Sequence, residues 1–485
     1  MPVNVCKVNA ASSNIEAICF GINTKVRQKL FIILSAFCIF SPMEPKTTLN
    51  RFDFTMIVVS LVIGMGIFRT PANVAAASPT PFLFFAVWVA GGLVALCGAL
   101  TYAEIGSRFP VAGGYYKIFS YAYHPSIAFA VNCIILVSNA ASLAGVALIG
   151  AEYITKVIFP QDSTLASTQI LISIISILLF YGVNLLGLKM SARTQNILTL
   201  IKITMVLLLI TPLFFSSGHP DEVHHISHPQ NLGMLQYLKA FGIGLVAVSF
   251  TYGGYQQTIN FGGEVEHASK NIPRGIFTGI FIIIALYLTI NYAYVRVIGF
   301  ENLKHANGIA AIMASHVFGD AAGNILSVLL FLSVLAYVNV LLMSNPRVMQ
   351  AMSEDGILPD AFKKRTPNTN VLFTSLSVFA AICCVIVFYA KSFDEILSFT
   401  IFLDSFGMIL SAATIFSLRK KTAHLDGTGI YKMRLFPLMP AIFIFAYAFV
   451  ALSIFLDKPN TALTGIAILS AFVVIYFIVK KTSKK

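Results

Sequence analysis

The stretch SLVIGMGIFRTP, from Ser60 to Pro71, stands in the middle of the first long apolar run, residues 54–77. A membrane-spanning helix ought to pass through it unbroken, yet it carries Gly64 and Gly66, then Arg69, then Pro71. Relative to alanine, glycine costs about 1 kcal/mol in a helix interior and proline about 3 kcal/mol, so the helix is expected to open at Gly64–Gly66. In hydrocarbon, bare N–H and C=O groups are tolerated only where they line a cavity enclosed by protein. Taken alone, the stretch fits a small-residue packing face or kink as well as it fits a binding site. A second interrupted run would decide between them.

Composition gives the class. The 485 residues are 57% hydrophobic and 11% charged, with a mean hydropathy of +0.82, far from the roughly 25% charged residues of a soluble domain. Twelve apolar runs of spanning length follow one another, at 54–77, 82–105, 124–158, 166–188, 193–215, 237–262, 274–299, 323–350, 371–390, 394–418, 436–456 and 460–480. The expected fold class is therefore an all-α polytopic membrane protein with twelve transmembrane helices. The net charge of +13 is a matter of topology, not of nucleic-acid binding. With the N terminus inside, 25 Lys and Arg fall in inside segments and five outside, while Arg69, Lys202 and Lys239 lie within or at the mouth of runs. That bias predicts both termini on the cytoplasmic side. Most of the seven cysteines lie in apolar runs, without disulfide or metal spacing, and read as small core residues.

Residues 1–45 hold the charged flank Lys25 to Lys29 and an apolar run, Leu30 to Phe40, too short to span. They are expected to be a dispensable extension or the product of an upstream start. The loop 216–236 after the fifth run carries His219, Asp221, Glu222, His224, His225 and His228. Their spacing matches no compact metal-ligand set, so a solvated loop is expected, with no metal and no cofactor. Glu104 ends the second run four residues before Arg108, as a helix-end charge or a gating group. Asn132, Ser138, Asn139 and Ser142 dot the third run, where interhelical hydrogen bonding is the commoner use. Lys202 lies nine residues into the fifth run, too deep to snorkel easily, and an ionisable group at that depth is a functional-site hypothesis by default.

The sixth run supplies the second interruption, FTYGGYQQTINFGG, Phe250 to Gly263. Gly253-Gly254 falls near the midplane, with Gln256, Gln257 and Asn260 beyond it. Broken helices in first and sixth position are the expected signature of a transporter built from two inverted five-helix repeats, with its site at the repeat interface. The division is then 46–215 for one repeat, 237–420 for the second, and 421–485 for two further helices with a basic tail.

Five motifs in consistent order resemble the amino acid–polyamine–organocation superfamily: GMGIF at Gly64–Phe68, YAEIG at Tyr102–Gly106 with Gly113-Gly114, FTYGG at Phe250–Gly254, KNIPR at Lys270–Arg274, and RVMQAMSEDGILP at Arg347–Pro359. Within it the chain looks most like the L-type amino acid transporter branch and its bacterial relatives. The resemblance covers residues 50–480. It implies a leucine-transporter-type fold of 5+5 helices plus two, carrying amino acids by alternating access.

The chemistry of the residues agrees. Where the first helix reopens, the N–H groups of Gly64, Met65 and Gly66 begin a half-helix whose positive end suits a carboxylate. The carbonyls of Phe250, Thr251 and Tyr252, with that of Ile63, suit an ammonium. The resemblance lays Phe250 over the substrate, and Gly253 and Gly254 leave room for a neutral side chain. Asp404 is the one midplane acid placed to take a cationic side chain, which leaves a polyamine or cationic amino acid as the alternative substrate. Lys202 matches a lysine that, in sodium-independent relatives, occupies the place of sodium, as a titrating proton carrier or as a charged strut on the first-helix carbonyls. Sodium-independent exchange or proton symport is expected. Arg69 and Asp404 resemble the acid–base pair that closes the outer gate of distant relatives. The outer loop Phe159–Ser167 has no cysteine, so no disulfide-linked heavy chain is expected, and the chain is expected in a bacterial cytoplasmic membrane. A channel would need a continuous polar lining, and an enzyme a converging catalytic set; neither is visible. An amino acid sensor that does not transport would share the site.

Overall fold

The computed structural model of the protein describes residues 49–64, 66–159, 166–215, 233–306, 308–310, 312–313, 320–389, 393–427 and 429–482. The amino-terminal extension, Met65, the histidine loop and most of the loop 159–167 lie outside them. At Asn50 a reciprocal cap starts the first helix. The Asn50 side chain accepts from the Asp53 N–H at 2.9 Å, and the Asp53 carboxylate accepts from the Asn50 N–H at 3.3 Å, so two amides left over at the helix start are satisfied. Helix α1, Arg51–Val62, then ends where the glycine pair begins, and α2, Gly66–Ala77, resumes beyond it. Pro71 sits inside α2 without ending it. The opening is at the glycines, as expected.

The remaining long helices are α3 (Pro81–Arg108), α4 (Gly114–Ala122), α5 (Pro125–Ile158), α6 (Ala166–Leu185), α7 (Leu188–Ile210), α8 (Met234–Tyr252), α9 (Ala268–Ile298), α10 (Asp320–Glu354), α11 (Phe373–Tyr389), α12 (Phe393–Lys421), α13 (Leu438–Asp457) and α14 (Pro459–Thr482). Among the described residues eleven helical spans, α1 and α2 together counting as one, are long and apolar enough to cross a bilayer, and Phe373–Phe388 is a shorter apolar helix. No strand is formed among them. The expected all-α, twelve-helix class is what the chain adopts.

The second break is less symmetrical than the first. After α8 the chain passes Gly253 and Gly254 and continues as a 3₁₀ segment, Tyr255–Asn260, in place of an α-helix. Gly254 has φ +112°, a conformation that L side chains rarely adopt. The segment is held from outside: Asn260 Oδ1 accepts from the Tyr115 N–H at 3.0 Å, and the Asn260 carbonyl accepts from the Gly113 N–H at 3.0 Å.

Packing puts the two breaks at the centre. Helix α1 lies against α7 and α9, α2 against α8, and α3 against α8 and α9. On the other side α5 packs on both α10 and α12. At 34 residues α5 is about 50 Å long, more than the roughly 30 Å of hydrocarbon, so it must cross tilted. Most of its side chains are enclosed, whereas α14 lies at the rim against α5 and α13.

Candidate functional site

The two broken spans cross at their breaks. A Cβ added to Gly66 would stand 2.8 Å from Thr251 Oγ1 and 3.1 Å from Thr251 Cα, so only glycine lets α2 approach α8 this closely. In the reverse direction, a Cβ on Gly254 would run into the Leu61 carbonyl. Each break therefore needs a glycine for the backbone of the other. The first amides of α2 have no partner within their own helix, whereas the Gly64 N–H, expected to serve a carboxylate, already donates to Val62 O at 2.8 Å, and the Phe250 carbonyl accepts from the Gly253 N–H at 3.3 Å.

At the crossing is a cavity of about 50 Å³, enough for a few waters. Gly64, Gly66, Phe250, Thr251, Gly253 and Gly254 line one side. The facing wall comes from α5, α10 and α12 and includes Ser142, Tyr337 and Asp404. Ile63 and Tyr252 contribute backbone behind this surface. The Tyr252 ring is buried in an aromatic cluster, 5.1 Å from Tyr287 and 6.0 Å from Trp88 between centroids. Met65 lies outside the described residues.

Two side chains behind the cavity hold the opened backbone. Lys202, fully buried on α7, donates to the Ile63 carbonyl and, at 3.3 and 3.4 Å, to the carbonyl and hydroxyl of Ser60. The Ile63 oxygen assigned to a substrate ammonium is thus already engaged by a lysine. From α9, the Tyr287 hydroxyl donates to Val62 O at 3.0 Å and Thr251 O at 3.3 Å, bridging the two breaks. Tyr287 was not legible in the sequence. It is one tyrosine in an apolar run, with no spacing that ties it to Val62, 225 positions away.

A layer of amides adjoins the cavity, with Asn139 and Gln257 in its wall. Asn139 and Gln257 bond reciprocally, at 2.7 and 3.3 Å, and Asn139 also donates to Asn345 Oδ1 at 2.7 Å. A second chain runs from Asn184 through Asn339 to Gln195, at 2.9 and 2.7 Å, and Gln195 donates to the Ser60 hydroxyl beside Lys202. Of the polar residues of the third run, Ser138, Asn139 and Ser142 make the interhelical bonds expected of them, whereas Asn132 donates back to the Ala128 carbonyl of its own helix at 2.7 Å. The partners on α10 carried no signal beyond being polar in an apolar run.

Asp404 and Arg69 are not brought together. Asp404 faces the cavity and accepts from Ser138 at 2.7 Å, whereas Arg69 is absent from the cavity wall, and no ion pair joins the two among the described residues. Glu104 is buried at the Arg-rich end of the bundle. Arg108 meets it at 2.7 Å, Arg419 grips it at 2.8 and 2.7 Å, and the Met433 N–H adds 2.8 Å. Asp426, in the loop after α12, joins this node through Arg108 at 2.7 Å, and hydrogen bonds from Lys432 and Arg108 hold its carboxyl down to about 2.

A family model for amino acid permeases matches residues 49–479. The chain belongs to the amino acid permease family. These are membrane transporters, not enzymes, and the match takes in both breaks and the cavity. The chain is 26% identical over 431 residues to the serine/threonine exchanger SteT of Bacillus subtilis, covering 88% of this chain and 95% of that one. It is 27% identical over 449 residues to the human cystine/glutamate transporter, with 89% and 86% covered. To the human large neutral amino acids transporter small subunit 2 it is 27% identical over 433 residues, with 87% and 78% covered. As a member of this family, the protein is a multi-pass amino acid transporter.

Proposed function

We propose that this permease is a sodium-independent transporter of neutral amino acids, working by alternating access through exchange or proton symport in a bacterial cytoplasmic membrane with both termini inside. The observation that carries this reading is the crossing of the two breaks at Gly66–Thr251 and Gly254–Leu61, with Lys202 set on the Ser60 and Ile63 oxygens. Amides at the start of α2, which have no partner within their own helix, suit a carboxylate. The carbonyls of Phe250, Thr251 and Tyr252, with a lone pair each beyond the bonds from the Gly253 N–H and Tyr287, suit an ammonium. No charged side chain is needed for either end of a zwitterion. The three oxygens around the Lys202 ammonium support a fixed strut in the place where sodium-coupled relatives hold their ion. An exchanger among the relatives supports exchange. Arg69 and Asp404 can act as an outer latch only in another state of the cycle.

Proteoliposomes test it. Labelled amino acid uptake, competed by each of the twenty amino acids with and without sodium and a proton gradient, is expected to be saturable, to show counterflow and to ignore sodium. Lys202→Ala is expected to lose uptake at every pH. A sodium requirement in the wild type, or unchanged uptake in the variant, would overturn the reading of Lys202. Binding without flux would turn the reading into that of a sensor.

A further inference from the structure

The cavity wall is chemically lopsided. Among its described residues there is no Lys, Arg or His, and Asp404 is the one carboxylate. It comes from α12, whereas the groups suited to an amino acid's carboxylate and ammonium come from α1, α2 and α8. The α-substituents of a bound amino acid therefore leave Asp404 to whatever projects from them. A carboxylate offers about four acceptor positions, and among the described residues Ser138 fills one of them, at 2.7 Å on Oδ1. Among the described residues the nearby hydroxyls give Asp404 no further hydrogen bond: Tyr337 shares one with Ser142 at 2.9 Å and Tyr115 one with Ser411 at 3.1 Å. Asp404 is only half-buried, and as it lies in the cavity wall, its exposed surface is the one a substrate meets.

Resting on the transporter reading above, we propose that Asp404 reads the substrate's side chain, selecting amino acids whose short side chain donates a hydrogen bond, through a hydroxyl or an amine, over apolar ones of the same size. Shape alone separates such pairs poorly, because a pocket discriminates weakly between near-isosteres. A desolvated carboxylate does better. Bonded to a donor it gains a charge-assisted hydrogen bond, and facing a methyl it is left unsatisfied.

Binding to the purified protein in detergent, by competition against labelled alanine, tests this with serine, 2,3-diaminopropionate and alanine on the wild type, Asp404→Asn and Asp404→Ala. Serine, diaminopropionate or both are expected to bind the wild type on the order of tenfold more tightly than alanine. In Asp404→Ala that preference is expected to collapse toward one, through a loss confined to the donor-bearing ligands, and Asp404→Asn is expected to fall between. The two donors separate a hydroxyl reader from an amine reader. A wild-type preference near one would overturn the proposal. So would an Asp404→Ala that weakens all three ligands alike, since that pattern belongs to a gate or coupling residue. Uptake in proteoliposomes is read separately. Absence of flux with the binding preference intact would defeat the transporter reading and leave the role of Asp404 standing.

Discussion

At the scale of single residues, Gly66 carries the clearest prediction. Its missing side chain is what brings α2 onto Thr251, and the nearest obstacles include the Thr251 backbone as well as its side chain. Gly66→Ala is expected to destabilise the protein by about 1–3 kcal/mol, the usual cost of overpacking, and to lower uptake sharply. A second substitution, Thr251→Ala, removes the hydroxyl and methyl groups but leaves Cα at 3.1 Å from the new Cβ, so it should restore part of the stability. Thermal unfolding of the two single variants and the double variant in detergent checks this; strict additivity would mean the two residues do not oppose each other. The glycine itself was legible in the sequence, because the cost of glycine in a helix is local and needs no partner to be seen. Thr251 as the reason for it was not, since it depends on how two spans 185 residues apart cross (251 less 66). The same limit hid Tyr287, whereas the depth of Lys202 in its run announced it.

At the scale of elements, pairs of spans were readable wherever a break or a buried charge marked both members. The first and sixth spans each carry glycines and polar residues, so their meeting could be expected. The contacts of α3 with α12 and the loop beyond it could not, because Glu104 and Arg108 read equally well as an ordinary helix-end pair four residues apart. In the fold they become a node reaching Arg419 and Asp426. Asp426 gives that node a pH signature. Its folded pKa of about 2 lies below the roughly 3.9 of an unfolded aspartate. The stability it adds is therefore present above about pH 4 and is lost as pH falls through its folded value. Asp426→Asn should unfold at a lower temperature than the wild type near neutral pH, and the gap should close as the pH is taken from 4 to 2. Unfolding curves recorded in detergent across that range measure it; a gap that widened on acidification would give the linkage the wrong sign.

For the whole molecule, the question is what closes the Arg-rich end while a substrate sits in the cavity. Three layers run from the cavity wall toward that end. The amides of Asn139, Gln257 and Asn345 form the first, and Asn260 with Ser344, at 3.1 Å, forms the second. In the third, the Arg347 guanidinium lies 4.6 Å from the centre of the Phe261 ring and meets the buried Glu264 carboxylate at 2.5 Å, with Arg365 at 3.5 Å. Two backbone bonds between Leu49 and the Glu264–Glu266 turn, at 3.0 and 2.9 Å, tie the start of the described chain to the same plug. Among the described residues Glu264 is the one acid that holds α10 to the 255–264 segment, so alternating access through this end has to release it. Removing its charge leaves Arg347 buried without its partner, and breaking such a pair is expected to cost about 3 kcal/mol of the closed state. The closed and open populations should then shift toward opening. With Ser344→Cys in a chain freed of its native cysteines, a membrane-impermeant maleimide applied from the side facing this end should react slowly, because position 344 is fully buried. Adding Glu264→Gln should speed that reaction by tenfold or more, while labelling from the opposite side falls. Equal rates with and without the carboxylate would remove Glu264 from the gate and leave the amide layers as the barrier.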